Sequence, residues 1–124
     1  MHARDYCILV AEDDELLRYC TVRLLRGHGY GVIEARDGVE ALELLQKKES
    51  AIHLLVTNHN MPRLNGVELA SRLRATHQQL PVLLISGSAP DGEVPDDIEF
   101  LEKPYNLAVL ASKVRELLRP ADVQ

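Results

Sequence analysis

Five short apolar runs, separated by stretches of helical periodicity, constrain this chain more than any other feature of its sequence. Tyr6 to Ala11, Tyr30 to Ala35, Ile52 to Thr57, Pro81 to Ser86 and Ile98 to Leu101 read as strands. Most carry apolar side chains at consecutive positions, which is the pattern of a strand covered on both faces. Between them apolar residues recur at helical spacing. The first such stretch holds Leu17, Thr21, Leu24, Leu25 and His28, with Arg18, Arg23 and Arg26 interleaved. Later ones hold Val39, Ala41, Leu42 and Leu45, then Val67, Leu69, Ala70 and Leu73, then Leu107, Leu110, Val114 and Leu117. Alternation of this kind predicts an α/β domain, a (βα)5 doubly wound arrangement around a parallel five-stranded sheet.

The punctuation agrees with that reading. Asp14 and Asn106 are suited to cap helix N-termini, Gly27 and Gly29 close the first helix, and Asp37-Gly38 makes a turn. Lys47 and Lys48 suit a helix C-terminus, and Asn58 to Gly66, with Pro62 and Asn65-Gly66, reads as loop. One stretch breaks the rhythm. Between Ser86 and Ile98, Pro90, Gly92 and Pro95 oppose a regular helix, so the fourth helix is expected to be short or degenerate.

Composition bounds the rest. With 124 residues the expectation is a single domain over 1–124, with an ordered core from about 5 to 119. Fourteen Lys and Arg against nineteen Asp and Glu give a net charge of −5, which argues against direct nucleic-acid binding. No apolar run approaches the ~20 residues of a membrane span, and the N-terminus has no signal-peptide core, so the expected location is cytoplasmic and the expected partners exclude membranes. Cys7 and Cys20 lie in apolar segments, where buried reduced thiols are expected.

In open α/β sheets, sites form beyond the carboxyl ends of the strands. Those ends carry Glu12, Asp13 and Asp14 after the first strand, Asn58 after the third, Ser86 after the fourth and Lys103 after the fifth. Clustered carboxylates suit a hard cation such as Mg²⁺, and a hydroxyl with a lysine opposite suits a phosphoryl group. A neutral amide at Asn58 cannot act as a carboxylate nucleophile. The bland readings stand beside these: the acidic triplet as a helix start, Lys103 as a solvated lysine, Ser86 as a turn hydroxyl, Phe100 as plain core, His59 as an exposed rim residue. His28, His53 and His77 show no shared metal spacing.

Five ordered motifs resemble the receiver domain of two-component response regulators, with a flavodoxin-like fold. These are Ile8 to Glu15 (ILVAEDDE), Glu34 to Leu42 (EARDGVEAL), Asn58 to Gly66 (NHNMPRLNG), Leu84 to Gly87 (LISG) and Phe100 to Pro104 (FLEKP). The resemblance implies roles residue by residue. Asn58 occupies the phosphoacceptor position, where the family has Asp. Glu12, Asp13, Asn58 and the backbone carbonyl of Asn60 would bind Mg²⁺. Ser86 would hydrogen-bond the phosphoryl group, Phe100 would be the aromatic that turns with it, and Lys103 would pair with phosphate. His59 and Asn60 resemble positions that tune dephosphorylation.

The resemblance implies a signalling receiver, not an enzyme, whose partner is a histidine kinase or phosphotransfer protein; the oligomeric state stays open. Because of Asn58 the chain is expected not to be phosphorylated, and to hold Mg²⁺ weakly. The alternative is a phosphate-independent pseudo-receiver acting as an interaction module through its first or last helix. Asn58 fits either an Asp→Asn change in a competent receiver or a natural pseudo-receiver. The intact Glu12, Asp13, Ser86, Phe100 and Lys103 favour a recent loss, since drift erodes several site residues together. A haloacid-type phosphohydrolase would want Asp-x-Asp after the first strand, and no G-x-G-x-x-G is present for a dinucleotide.

Overall fold

A computed structural model describes residues 2–47, 52–87, 95 and 97–118. After a short 3-10 turn at Ala3–Asp5 come β1 (Cys7–Ala11), α1 (Glu15–Gly27), β2 (Gly31–Ala35), α2 (Gly38–Lys47) and β3 (Leu54–Asn58). They are followed by α3 (Gly66–Leu73), β4 (Val82–Ser86), β5 (Ile98–Glu102) and α4 (Leu107–Leu118). The five strands form one parallel sheet in the order β2-β1-β3-β4-β5, so the strand order reverses between β1 and β3. This is the expected doubly wound, flavodoxin-like arrangement. Residues 88–94 and 96, where the sequence predicts a short or degenerate further helix, lie outside the described residues, as do Lys48 and 119–124.

The strands' two-sided apolarity is used as read. Leu9, Leu55 and Leu84 face one side of the sheet with Leu45, Leu69 and Leu73 from α2 and α3. Ile8, Val56 and Leu83 face the other with Leu25, Leu110 and Val114 from α1 and α4. Each such side chain, fully buried, contributes about 1.5–3 kcal/mol relative to exposure, so these two layers hold the sheet.

Four sequence expectations are corrected. The inward face of α1 is Thr21, Val22 and Leu25; Leu17 and His28 point outward, and Leu16 is 69% exposed. The helix carries apolar residues nearly all round, so periodicity alone does not select its buried stripe. Cys20 is exposed rather than buried, for the same reason of helix phase, and Cys7 is half-buried. Asn58 closes β3 rather than opening the loop, because the ladder continues past it: His59 N–H donates to Ile85 O at 2.8 Å. Leu107 in the first turn of α4 is also exposed, whereas Leu110, Ala111, Val114 and Leu118 are buried.

Local chemistry sets the helix starts. Asp14 Oδ1 accepts from Leu17 N–H at 2.9 Å, Asn106 Oδ1 from Val109 N–H at 2.9 Å, and Asn65 with Glu68 forms a reciprocal capping box. Gly29 has φ +95°, a conformation that L side chains rarely adopt, and it ends α1 as expected.

The loop from β3 to α3 is clamped at both ends. Arg63, at φ +71°, reaches Asp37 at the start of α2 with Nη2 to Oδ2 at 2.6 Å. Gly66 lies against the end of β3, where an added Cβ would meet Asn58 O at 2.8 Å, His59 Cα at 3.0 Å and the Leu84 side chain. Gly66→Ala is therefore expected to destabilise the domain by about 1–3 kcal/mol through overpacking. A urea midpoint unchanged from wild type would contradict that.

The Glu40 N–H and the Arg63 guanidinium hold the Asp37 carboxyl below its ordinary value of 3.8. A carboxyl lowered by folding stabilises the fold fully above its ordinary value, and that contribution is lost as pH falls through the lower folded value. Asp37→Asn keeps a capping oxygen but removes the charge. The stability gap between wild type and this variant is expected to be constant from neutral pH down to about 5 and to narrow below 4. Denaturant titrations at several pH values check this; a gap that stays constant to pH 3 would contradict it.

Candidate functional site

Register brings the predicted residues to one rim. Ala11 pairs with Thr57, Asn58 with Ile85 and Ser86 with Glu102. The residues that end or follow those strands, Glu12, Asn58, Ser86 and Lys103, thus converge at the carboxyl edge beside the β1–β3 switch point. Glu12, Asn58 and Ser86 are polar yet only 7%, 8% and 2% exposed. Buried polar groups require partners, and the partners define the site.

The Asn58 carboxamide is at its centre. Its Nδ2 donates to Asn60 O at 2.9 Å and to Glu12 Oε2 at 3.4 Å. Its Oδ1 accepts from Lys103 Nζ at 3.4 Å. Glu12 Oε2 also accepts from Asp14 N–H at 3.0 Å. Burial pushes the Glu12 carboxyl above its ordinary range, the neighbouring Asp13 adds to the rise, and the Asp14 N–H and the Lys103 charge oppose it. Asp13 itself is exposed at the mouth of the site. On the other side of the rim, Ser86 O accepts from Lys103 N–H at 2.8 Å, and the Lys103-Pro104 peptide is cis. Phe100 is half-buried and packs on the α2–α3 side of the core.

The structure thus groups Glu12, Asn58, Asn60 and Lys103 by direct contact, with Asp13 beside Glu12 and Ser86 bonded through its backbone to Lys103. His59 is half-buried beside Asn58, and its Nδ1 has no hydrogen-bond partner among the described residues. Two of the remaining histidines behave as surface or satisfied residues: His53 Nδ1 accepts from Cys7 N–H at 3.0 Å, and His28 is exposed.

Three supporting residues are not evident from sequence. Arg18 donates from Nη1 to Glu12 O at 2.9 Å while its Nε pairs with Glu34 at 3.2 Å, which fixes the backbone that presents Glu12. Tyr105 and Thr21 line a small cavity with Glu12, Asn58 and Lys103. Burial raises the Tyr105 phenol, and the Glu12 charge adds to that. An arginine among the apolar residues of α1, in the first turn of that helix, is the one available signal for Arg18.

The hydrogen bonding bears directly on a divalent cation. Such an ion takes only oxygen ligands here, yet Glu12 Oε2 and Asn60 O both receive N–H hydrogens from Asn58. Among the described residues no group of three or more His, Cys, Asp or Glu side chains could hold a metal ion. The donor set in this arrangement does not fit Mg²⁺.

Comparison with known proteins agrees with the geometry. The family model of the response regulator receiver domain matches residues 8–115. The chain is 37% identical over 120 residues to the sensor kinase CckA of Brucella abortus (strain 2308), covering 93% of this chain but 13% of that protein. It is 36% identical over 116 residues to the response regulator receiver protein CpdR of the same organism, covering 90% of this chain and 95% of CpdR. Against response regulator MprA of Mycobacterium leprae (strain TN) it spans half the length of the relative. Among solved structures, the receiver domain of the hybrid histidine kinase CckA superposes with a TM-score of 0.81 at 35% identity, over 91% of this chain and 99% of that one. A response regulator receiver protein from Sinorhizobium medicae WSM419 gives 0.80 at 31%, over 91% and 94%. The acidic end of β1, the loop after β3 and the lysine after β5 are parts of one architecture, and the chain belongs to the response regulator receiver domain family.

Proposed function

We propose that this chain is the receiver of a two-component phosphorelay in which the acceptor position is silent, so that it engages a histidine kinase or phosphotransfer protein without taking its phosphoryl group. The observation that carries this reading is the position of Asn58 at the end of β3, within hydrogen-bond reach of both Lys103 and Glu12. In a competent site a carboxylate oxygen attacks phosphorus in line, the bond from phosphorus to the donor breaks, and a lysine neutralises the transferred oxygens. An amide offers no such nucleophile, because its nitrogen lone pair is delocalised and its oxygen is neutral. Lys103 would supply the charge and Ser86 the hydroxyl once a carboxylate stood at position 58. We assign the chain a signalling role in the cytoplasm rather than substrate turnover, and Mg²⁺ binding to the form with a carboxylate there.

A second reading, a phosphate-independent interaction module, draws support from apolar side chains left outside the core. Tyr19 is 56% and Leu107 52% exposed, and the two line one surface depression between α1 and α4. Apolar groups clustered in this way suit a partner helix.

The decisive comparison is incubation with a small acyl-phosphate donor and Mg²⁺, read by intact-protein mass spectrometry. Wild type is expected to stay unmodified, and Asn58→Asp to gain one phosphoryl group that is lost on mild alkaline treatment. Equal labelling of both forms would overturn the assignment of Asn58 to the acceptor position. Labelling of neither would count against the receiver site as described.

A further inference from the structure

We infer that the Asn58 side-chain amide stands in for the divalent cation, its two N–H hydrogens bridging the Glu12 carboxylate and the Asn60 carbonyl and closing the site to Mg²⁺. This rests on the receiver reading above, and it concerns what holds the site together when no carboxylate is present at position 58.

The bridging is specific. A cation in such a site draws together a carboxylate from β1 and a backbone carbonyl from the loop after β3. Here Nδ2 contacts those two oxygens, Asn60 O at 2.9 Å and Glu12 Oε2 at 3.4 Å. A carboxamide nitrogen has two hydrogens, so both bonds are made by one group.

Donor and acceptor balance dictates which way round the amide lies. Lys103 carries only donors, so the atom facing its Nζ at 3.4 Å must accept, and only Oδ1 can. Glu12 Oε2 and Asn60 O carry only lone pairs towards Asn58, so the atom facing them must donate. A half-turn of the amide would set an N–H group against the Lys103 ammonium and Oδ1 against a carboxylate. Three favourable contacts would become three repulsive ones.

Charge points the same way. Glu12, Asp13 and Lys103 sum to one negative charge, whereas an aspartate at position 58 would leave two for a dication to neutralise. With Asn58 the demand is halved, and the two oxygens that a cation would use are already satisfied. A Mg²⁺ ion, which gives up its water reluctantly, would have to expel the amide to enter. The site of this chain is thus assembled independently of Mg²⁺ and of phosphate, as a fixed state rather than a switch awaiting its ligand.

Competition by the amide reverses an intuitive order of affinities. If Asn58 were merely a poorer oxygen ligand than Asp, removing it should weaken Mg²⁺ binding further. If the amide competes with the cation, removing it should help. Mg²⁺ affinity, read from the rise in thermal midpoint with Mg²⁺ at constant ionic strength, is expected to fall in the order Asn58→Asp, then Asn58→Ala, then wild type. Wild type is expected to bind at least about tenfold more weakly than Asn58→Ala. A wild type that binds as tightly as Asn58→Ala, or more tightly, overturns the inference and leaves the receiver reading intact. Failure of Asn58→Asp to respond to Mg²⁺ removes the receiver site itself, and the inference with it. Should Asn58→Ala not fold, a backbone-amide NMR titration of wild type alone decides. Signals of Asp14 and Asn60 are expected to be unmoved by millimolar Mg²⁺, and a saturable shift with the affinity of Asn58→Asp contradicts the inference.

Discussion

Everything at the site depends on the register of β3 between β1 and β4. Because Ala11 pairs with Thr57 and Asn58 with Ile85, the side chains that end β1 and β3 emerge side by side at the same edge. A slip of one residue would turn Asn58 towards a helix layer and send its neighbours into the site. Register in turn is held by burial: Leu54, Leu55 and Val56 are each at most 1% exposed, alternating between the two core layers. The chemistry is therefore carried by rigid elements, and the loop that supplies Asn60 is anchored to α2 through Arg63 and Asp37 and to β3 through Gly66.

Within that frame one neutral side chain reconciles groups that would otherwise conflict. Glu12 is buried beside Asp13, an arrangement that raises its carboxyl and would repel another carboxylate. Lys103 supplies a positive charge on the far side, and the Asn58 amide lies between them with its acceptor towards the lysine and its donors towards the acid and the Asn60 carbonyl. Every polar atom of that amide is used. In the proposed reading a competent receiver would carry its acceptor carboxylate at this position; the hydrogen bonding explains how a chain with an amide there still forms a closed polar site rather than a buried defect.

Much of this is legible in the sequence, and for identifiable reasons. Strands such as Leu54–Asn58 and Val82–Ser86 announce themselves because both faces are buried and most of their residues are apolar. Asp14 and Asn106 are readable as caps because a short polar side chain before a helical period has one common use. Glu12, Asn58 and Lys103 are identifiable from strand ends and motif spacing, and the structure brings them into contact. The phase of α1 is not readable, since Leu16, Leu17, Tyr19, Val22 and Leu25 ring the helix and only packing on the sheet selects Val22 and Leu25. Nor can sequence give the Arg63–Asp37 pair, which joins residues on separate loops, or the direction of the Asn58 amide, which is decided by three partners brought together only by the fold.

The Asn58 amide is thus a structural member of the site, held by Lys103 through its oxygen and by Glu12 through its nitrogen. The most direct measurement is ¹⁵N NMR of the Asn58 side-chain NH2 group. Two well-separated proton signals are expected, slow to exchange with solvent, with the signal facing Glu12 shifting in Glu12→Gln and both shifting in Lys103→Met. A pair of signals at the positions of a free asparagine amide, exchanging rapidly and indifferent to both substitutions, would contradict that placement.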